Sequence, residues 1–270
     1  MTYRPIKPPF AYYGGKTTLA ERIVVLLPEH GHYVEPFAGS LAVLLAKAPA
    51  RMETVNDLDD GLMTFWRVLR DRPDELIRGA ALTPHSRAEY EACRQPTDDE
   101  LETARRVWTL LSQGRAGSLR KTGWRHFADP AGSPSTSMPG YLRGYVERMA
   151  AVARRLAGVS LENRPALEVI AAYGSHPEVL VYVDPPYLRS ARTSLGYRHE
   201  MPTADQHRQL AEALRACRAA VIISGYPSPL YDQLSGTGNG GQWATRTEVL
   251  WSNRPLRAHA SLFDDLEATA

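Results

Sequence analysis

The stretch that decides the expected fold reads Val179-Leu180-Val181-Tyr182-Val183-Asp184-Pro185-Pro186-Tyr187. Its first five residues are apolar and mostly β-branched or aliphatic, which predicts a strand buried on both faces of a parallel sheet. Asp184 then lies at the carboxyl end of the strand, where open α/β sheets bind ligands. Two successive prolines fix the backbone and lack amide donors, which leaves carbonyl groups available to accept hydrogen bonds. We therefore expect residues 184–187 to hold a planar substrate that carries an amino group.

Two glycine-containing turns precede this strand. Phe10–Thr18, with the sequence Phe-Ala-Tyr-Tyr-Gly-Gly-Lys-Thr-Thr, lacks the spacing of a phosphate-binding P-loop. Its glycines would let a ligand approach the backbone, and Lys16 would supply a positive charge to an acid group, although alone these residues favour an ordinary turn before a helix. His32–Ser40 predicts a strand, a tight turn at Gly39 and a helix, which together begin a βαβ unit. One glycine does not make a dinucleotide fingerprint, so this turn suits a cofactor without a pyrophosphate.

An acidic loop follows the second predicted strand, Glu53–Val55. In Rossmann-type folds, an acidic residue about 20 residues beyond the glycine turn accepts hydrogen bonds from ribose hydroxyls, and Asp57 is placed for that role. Alternatively, the loop caps the helix that begins near Asp60, and the candidates for the cap are Asn56, Asp57 and Asp59. One loop can serve both purposes.

Helical and strand patterns alternate along the rest of the chain, which is typical of an α/β protein. Helices are predicted near residues 19–27, 41–46, 62–82, 89–93, 101–111, 141–156, 168–173 and 204–217. Further strands are predicted at 159–163, 219–226 and 245–251, the last of them antiparallel and closing the sheet. The polar loop 188–201 follows the central strand, and it either closes over substrate or is a solvent loop.

The composition excludes several classes of protein. No run approaches the roughly 18 apolar residues of a membrane span, and Met1–Arg4 lacks the hydrophobic region of a signal peptide, so we expect a cytoplasmic protein with no membrane partner. The two cysteines, Cys93 and Cys217, both lie in predicted helices, which argues against disulfides and a cysteine metal site. No His, Cys and Asp cluster has the spacing of metal ligands, so no metal is expected.

The charge is unevenly distributed. Residues 67–154 contain 15 Lys and Arg against 11 Asp and Glu, whereas the rest of the chain has 17 against 19. Between Glu102 and Asp129 there is no acidic residue but six basic ones. A basic segment of this kind suits nucleic acid, yet only four of the 32 basic residues are lysine, so an arginine-rich composition explains it equally well.

Four motifs in this order and spacing resemble those of the Dam-like family of adenine-specific DNA methyltransferases with an Asp-Pro-Pro-Tyr site. They are Tyr12–Lys16, Tyr33–Ser40, Asn56–Asp60 and Val183–Tyr187, and the resemblance extends through Ser224–Tyr226 and Arg246–Trp251. It implies S-adenosylmethionine as methyl donor, double-stranded DNA as partner, no metal, and a bacterial or phage-encoded enzyme. The implied cofactor-binding residues are Tyr12, Lys16, Glu35, Phe37, Gly39, Asp57 and Asp184.

The resemblance also implies a recognition domain inserted between the cofactor and catalytic motifs, which matches the basic helical segment. We expect an α/β catalytic domain of residues 1–66 and 155–270 with a Rossmann-like methyltransferase sheet, and an inserted, mainly helical DNA-recognition domain of residues 67–154. The Gly-, Arg- and Ser-rich stretch 112–126 is predicted to be either a surface excursion or a loop that contacts phosphates and base edges. Its DNA-binding candidates are Arg115, Arg120, Lys121, Trp124 and Arg125.

This stretch departs from the family's pattern. Better-known members carry Asn-Arg and an aromatic residue near positions 113–118, where this chain has Gln-Gly-Arg-Ala-Gly-Ser. The target sequence of those members is therefore not carried over to this chain, and no partner restriction endonuclease follows from these motifs.

The catalytic residues implied by the resemblance are Asp184, Pro185, Pro186 and Tyr187. An adenine would be flipped out of the duplex and stacked on Tyr187, and its amino hydrogens would be accepted by the Asp184 carboxylate and the Pro185 carbonyl. The methyl group would then transfer directly, mainly through positioning and electrostatics. The rival predictions are an RNA or protein methyltransferase with the same site, and a DNA-binding relative that has lost catalysis.

Overall fold

The computed structural model describes residues 3–129, 137–187, 196–227, 231–232, 241–244 and 248–256, and the strands within these ranges form one sheet. In chain order the strands are β1 (His32–Glu35), β2 (Met52–Asn56), β3 (Ser160–Glu162), β4 (Val179–Val183), β5 (Ala220–Gly225), β6 (Gly241–Ala244) and β7 (Val249–Ser252). The helices are α1 (Ala20–Leu26), α2 (Ala42–Ala46), α3 (Asp60–Asp71), α4 (Pro73–Leu82), α5 (Arg87–Ala92), α6 (Glu100–Gln113), α7 (Met138–Leu156), α8 (Ala166–Tyr173) and α9 (Ala204–Arg215). No helix of the described ranges is both long and apolar enough to cross a membrane.

The order of the strands creates a switch point in the middle of the sheet. The order is β3-β2-β1-β4-β5-β7-β6, in which β1 to β5 are parallel and β7 runs antiparallel to β5 and β6. The chain builds outward from β1 on one side and from β4 on the other, so a crevice is expected beyond the carboxyl ends of this pair. Glu35 ends β1 and Asp184 follows β4, so both residues lie at that crevice.

The central strand has the burial that its sequence predicts. All five residues of β4 are buried. Leu180 and Tyr182 belong to one apolar cluster, whereas Val179, Val181 and Val183 belong to another on the opposite face of the sheet. Each fully buried apolar side chain of this size contributes about 1.5–3 kcal/mol, so a strand covered on both faces is favoured at this position.

Two predictions about element boundaries are wrong. The helix predicted at 62–82 is two helices, because Pro73 lacks an amide donor and is suited to the first turn of a new helix, where it begins α4. The last predicted strand is present as β7 and is antiparallel, as expected, but it does not close the sheet, since β6 pairs with the outer side of β7 and forms the edge. The sequence of β6, Gly-Gln-Trp-Ala, follows a glycine-rich stretch and has no alternating pattern that would have revealed it. Residues 245–247 of the predicted strand lie outside the described ranges.

The segment between β2 and β3 is helical, as expected, and comprises α3 to α7. These helices pack on one another, and their buried residues share one apolar cluster with those of β2 and β4. Two side chains of the segment also reach the N-terminal stretch: Trp108 Nε1 donates to the Pro9 carbonyl at 3.0 Å and Arg148 donates to the Pro8 carbonyl at 3.0 Å. The segment is therefore firmly attached to the rest of the protein, while its role as a separate recognition domain stays a prediction.

Candidate active site at the switch point of the sheet

A cavity of about 280 Å³ lies at the carboxyl ends of β1 and β4. It is lined by residues from segments that are far apart in the sequence, chiefly 12–16, 35–40, 57–59, 165–167 and 197–201, together with Asp184 and Pro186. All seven residues predicted to bind the cofactor line it: Tyr12, Lys16, Glu35, Phe37, Gly39, Asp57 and Asp184. The structure therefore brings the predicted cofactor residues together.

The turn after β1 depends on Gly39. Its φ of +46° is in the left-handed region that favours glycine, and a Cβ atom there would lie 3.0 Å from Cε1 of Tyr12. The Gly39 amide donates to Asp57 Oδ2 at 3.0 Å, and its carbonyl accepts from Trp66 Nε1 at 3.2 Å. The backbone at Gly39 thus forms part of the wall of the cavity.

Asp57 and Asp59 divide the two roles that the sequence left open. Asp59 caps α3, because its Oδ1 accepts from the Leu62 amide at 3.1 Å. Asp57 faces the cavity and is held by two backbone amides, those of Gly39 and Asp59. Burial raises the pKa of Asp57 to about 6, partly opposed by these two hydrogen bonds.

Residues 197–201, which precede α9, line one side of the cavity. Tyr197 meets Tyr13 edge to face with ring centres 5.2 Å apart, and Arg198 donates to Asp59 at 3.2 Å. Gly14, with φ of +72°, leaves room for the Tyr197 hydroxyl, because a Cβ there would lie 2.0 Å from it. Residues 197–201 therefore border the cavity, closure of this loop over substrate stays a prediction, and residues 188–195 of the predicted loop lie outside the described ranges.

Lys16 forms a buried ion pair with Asp184. Its Nζ lies 2.8 Å from Oδ1 and 2.9 Å from Oδ2 of the carboxylate, and it also donates to the Gly14 carbonyl at 3.0 Å. The Lys16 side chain is 5% exposed and that of Asp184 is 17% exposed. The positive charge expected of Lys16 for an acid group is thus directed at the predicted catalytic carboxylate.

The two oxygens of Asp184 have different numbers of donors. Oδ1 accepts from Lys16 and from Ser224 Oγ at 3.0 Å, and the Tyr187 hydroxyl oxygen lies 3.3 Å from it. Oδ2 accepts from Lys16. Ser224 is itself within 3.1 Å of the Tyr182 hydroxyl, so its position is fixed from the neighbouring strand. Of the two oxygens, Oδ2 keeps more of its capacity to accept a further hydrogen bond.

Tyr187 is almost fully enclosed. Its hydroxyl donates to Glu248 Oε1 at 2.6 Å, Lys16 Nζ lies 4.9 Å from its ring centre, and the ring of Tyr226 lies 4.8 Å away, edge to face. Burial, together with the negative charges of Asp184 and Glu248, raises the pKa of Tyr187 well above its usual value. The hydroxyl therefore stays protonated and acts as a donor.

Glu35 is a buried acid beside this site. The Tyr33 hydroxyl donates to its Oε2 at 2.9 Å. Burial raises the pKa of Glu35 to about 8, and the negative charge of Asp184 adds to this effect. At neutral pH Glu35 is therefore mainly a neutral carboxylic acid, which can donate as well as accept a hydrogen bond.

The five predicted DNA-binding residues lie on a closed loop next to the cavity. Arg115 N bonds to Gly123 O at 3.0 Å and Arg125 N to Gln113 O at 2.7 Å, which ties the two ends of the loop together. Arg115, Arg120 and Lys121 are exposed, whereas Trp124 and Arg125 are partly buried. For all five, contact with DNA stays a prediction.

Trp124 is engaged within the insertion. Its ring stacks on His85 at 4.3 Å and on His126 at 5.3 Å, and its Nε1 donates to Gln113 Oε1 at 3.2 Å. The guanidinium of Arg87 lies 4.8 Å from the ring centre. In this structure Trp124 thus stabilises the loop that carries the exposed basic residues.

The same loop contacts the walls of the cavity. The Tyr13 amide donates to Gly117 O at 2.8 Å, and the Ser118 hydroxyl donates to the Gly196 carbonyl. Arg120 donates to the Tyr197 carbonyl at 3.4 Å. The predicted DNA-binding loop is therefore in direct contact with residues 13, 196 and 197 at the wall of the cavity.

Some residues of this site had no role assigned from the sequence, notably Ser224, Tyr197 and Glu248. Ser224 could have been found, since β5 was predicted and residues at the carboxyl ends of neighbouring parallel strands lie close together. Nothing in the pattern around Glu248 indicates its contact with Tyr187. Within the described ranges, no group of three or more His, Cys, Asp or Glu could hold a metal ion.

A family model described as D12 class N6 adenine-specific DNA methyltransferase matches residues 12–235. The chain belongs to this family. The resemblance drawn from the four motifs is thereby confirmed, and the protein is an adenine-specific DNA methyltransferase whose methyl donor, as the family implies, is S-adenosylmethionine. Its mixed α/β fold with a mostly parallel, Rossmann-like sheet is the one expected.

This D12 class methyltransferase is similar to several known proteins. The Type II methyltransferase M1.LlaDCHI of Lactococcus lactis subsp. cremoris is 26% identical over 249 residues, which cover 85% of this chain and 84% of that protein. The solved rRNA methyltransferase aviRa of Streptomyces viridochromogenes is 16% identical, over 96% of this chain and 89% of that one, with a TM-score of 0.39. The putative methyltransferase yhhF of Escherichia coli is 12% identical, over 89% and 82%, with a TM-score of 0.33.

Proposed function

We propose that this methyltransferase transfers a methyl group to the N6 amine of an adenine flipped out of double-stranded DNA, with Asp184 as the acceptor that orients the amine. The observation that carries the proposal is the Asp184 carboxylate at the carboxyl end of β4, paired with Lys16 at the edge of the cavity. A carboxylate fixed in this way is positioned to accept an amino hydrogen.

The cavity fits the proposed cofactor. S-adenosylmethionine, when bound, supplies a methyl group on a positively charged sulfur. Gly39 leaves space against the ring of Tyr12, Phe37 adds an apolar surface, and Asp57 offers a carboxylate held by backbone amides. We propose that Asp57 accepts hydrogen bonds from the ribose and that Tyr12, Phe37 and Gly39 contact the nucleoside.

The adenine amine is a poor nucleophile, because its lone pair is delocalised into the ring. The amine would donate one hydrogen bond to Asp184 Oδ2 and one to the Pro185 carbonyl. The nitrogen would then become more pyramidal, with its lone pair directed at the methyl group. With the cofactor bound, the N–C bond would form as the S–C bond breaks and S-adenosylhomocysteine leaves, and the amine would release one proton to solvent by way of the Asp184 carboxylate. The contribution of Asp184 and Pro185 is positioning and electrostatics.

Tyr187 would stack on the flipped adenine once the site has opened. Lys16 and Tyr226 both lie against its ring in this structure, so stacking requires a rearrangement. Tyr226 is 37% exposed, and we propose that it moves aside when the base enters. The base itself leaves the duplex at a cost of a few kcal/mol.

The inserted helices, residues 67–154, would bind the duplex. Arg115, Arg120 and Lys121 are exposed on a loop that contacts Tyr197 at the wall of the cavity. This position supports contact with phosphates beside the flipped base. Partly buried Trp124 and Arg125 would support this surface.

The test is methylation of duplex DNA by the purified protein with radiolabelled S-adenosylmethionine, followed by mass spectrometry of the nucleosides. We expect label in N6-methyldeoxyadenosine. Ribosomal RNA and a protein extract serve as competing substrates, and label confined to either of them would support the rival assignment. Methylation-sensitive sequencing of host DNA after expression would identify the target, whereas absence of transfer to every substrate would indicate an inactive relative.

A further inference from the structure

Glu248 reaches the catalytic cluster from a strand outside the parallel part of the sheet. It directly precedes β7, whose Val249 lies opposite Gly225 of β5. Because β7 is antiparallel, its amino end meets the same edge of the sheet as the carboxyl ends of β4 and β5. The topology therefore brings the Glu248 side chain beside Asp184 and Tyr187.

The Glu248 carboxylate is buried and hydrogen-bonded. The residue is 6% exposed, its Oε1 accepts from the Tyr187 hydroxyl at 2.6 Å, and the same oxygen lies 3.6 Å from Lys16 Nζ. Burying a carboxylate costs free energy unless it is paired. The Tyr187 hydroxyl and the Lys16 ammonium, which also contact Asp184, offset this cost for Glu248.

The Tyr187 hydroxyl has two carboxylates within reach. It lies 2.6 Å from Glu248 but 3.3 Å from Asp184, so its proton is directed to Glu248. Without Glu248 the hydroxyl would turn to Oδ1 of Asp184, and a further donor on that oxygen would weaken the carboxylate as an acceptor for the adenine amine. A side chain that accepts the hydrogen bond of this hydroxyl therefore keeps Asp184 available for the substrate.

We propose that Glu248 is a positioning residue for methyl transfer, which accepts the hydrogen bond of the Tyr187 hydroxyl and thereby keeps that hydroxyl from donating to the Asp184 carboxylate that accepts the amine. The inference rests on the proposed function, in which Asp184 receives the adenine and Tyr187 stacks on it. Glu248 itself acts through these residues and does not touch the reacting atoms.

The test compares Glu248→Ala, Glu248→Gln, Tyr187→Phe and the double variant Tyr187→Phe/Glu248→Ala in single-turnover methylation of duplex DNA. Removing a hydrogen bond to a charged group corresponds to a rate loss of about ten- to a hundredfold, which we expect for Glu248→Ala. Glu248→Gln keeps an oxygen acceptor and should lose less. Because Glu248 acts through the hydroxyl, the double variant should be no slower than the slower single variant.

Three further measurements separate positioning from general damage. The affinity for S-adenosylmethionine and the melting temperature of Glu248→Gln should stay close to those of the wild type, while its methyl-transfer rate falls. Glu212→Gln, an exposed carboxylate on α9, is the matched control and should leave all three quantities unchanged. If Glu248→Ala does not fold, the comparison of Glu248→Gln with Tyr187→Phe replaces it.

The outcomes distinguish this inference from the proposed function. If the wild type methylates adenine but Glu248→Gln and Glu248→Ala stay within twofold of its rate, the role of Glu248 is wrong and that of Asp184 stands. Losses that multiply in the double variant would also overturn it. If the wild type does not methylate DNA adenine at all, the proposed function itself fails.

Discussion

Lys16 and Asp184 are separated by 168 residues in the sequence, yet the ammonium of Lys16 donates to both oxygens of the Asp184 carboxylate, at 2.8 and 2.9 Å. This ion pair joins the first glycine turn of the chain to the end of the central strand. The lysine of the Gly-Gly-Lys motif therefore pairs with Asp184 of the site. This role does not require the spacing of a phosphate-binding loop, which the motif lacks.

Replacing Lys16 by Met should impair both stability and activity. Removing one partner of a buried ion pair costs about 3–5 kcal/mol. Loss of a group that orients the site reduces the rate by about a hundredfold. Thermal unfolding and single-turnover methylation measure the two effects, and Lys7→Met, which changes an exposed lysine, is the control. A Lys16→Met enzyme with wild-type rate would show that the ion pair is not needed for transfer.

The affinity for S-adenosylmethionine should depend on pH through Asp57. Ribose hydroxyls donate to the ionised carboxylate, and the pKa of Asp57 is raised to about 6, so affinity should fall as the pH drops through 6. Asp57→Asn should weaken binding about tenfold at pH 7.5 and flatten this dependence. Calorimetric titration between pH 5 and 8 tests both, with exposed Asp60→Asn as control. Equal pH dependence in the two variants would contradict the role of Asp57.

Glu35 should make the free energy of unfolding decrease with rising pH. Its pKa in the folded protein is about 8, above the usual 4.5, so the folded state favours the neutral acid. This stability is present at low pH and is lost as the pH rises from 4.5 through 8. The glutamine of Glu35→Gln stays neutral at every pH. The melting temperature of this variant should therefore rise relative to that of the wild type as the pH increases from 4.5 to 8. Parallel melting curves for the two proteins from pH 5 to 9 would contradict the buried neutral acid.

Two glycine-to-alanine changes should have opposite effects on stability. Gly39→Ala places a Cβ 3.0 Å from Tyr12 at a φ of +46°, so it should destabilise the protein by about 1–2 kcal/mol and weaken cofactor binding. Gly144 lies in α7 with open space around its Cα, and Gly144→Ala should stabilise by about 0.5–1 kcal/mol. Urea denaturation measures both, and a neutral Gly39→Ala would show that the turn relaxes.

Exposed basic residues on the loop 113–125 should contribute to the salt dependence of DNA binding. Each phosphate contact adds about 0.9 to the slope of log affinity against log salt concentration, so Arg120→Ala and Lys121→Ala should each lower it by about that amount. Arg208→Ala removes an exposed arginine of α9 that pairs with Asp205, outside the inserted segment, and should leave the slope unchanged. Identical slopes in all three variants would place the DNA on another surface.

The sequence predicted those features whose physics is local. Residues 179–183 read as a continuous apolar run because the strand is covered on both faces. The position of Asp184 followed from that strand. The role of Asp59 as the cap of α3 became distinguishable from that of Asp57 only when their hydrogen bonds were known, since both residue types suit a cap.

Features that depend on long-range pairing were not predictable. Glu248 reaches Tyr187 because β7 enters the sheet antiparallel beside β5, and no local pattern encodes that register. The strand β6 has no alternating apolar residues, and its place at the edge of the sheet is set by pairing with β7. The break between α3 and α4 was readable at Pro73, and the prediction of one helix over 62–82 gave too little weight to it.

The central claim is that Asp184 orients a flipped adenine for methylation at N6. Its most direct test is mass spectrometry of nucleosides from duplex DNA after incubation of wild type and Asp184→Ala with S-adenosylmethionine, with cofactor affinity measured for both. We predict N6-methyldeoxyadenosine with the wild type and a rate at least about a hundredfold lower with Asp184→Ala, at unchanged fold. Near-normal N6 methylation by Asp184→Ala would contradict the account.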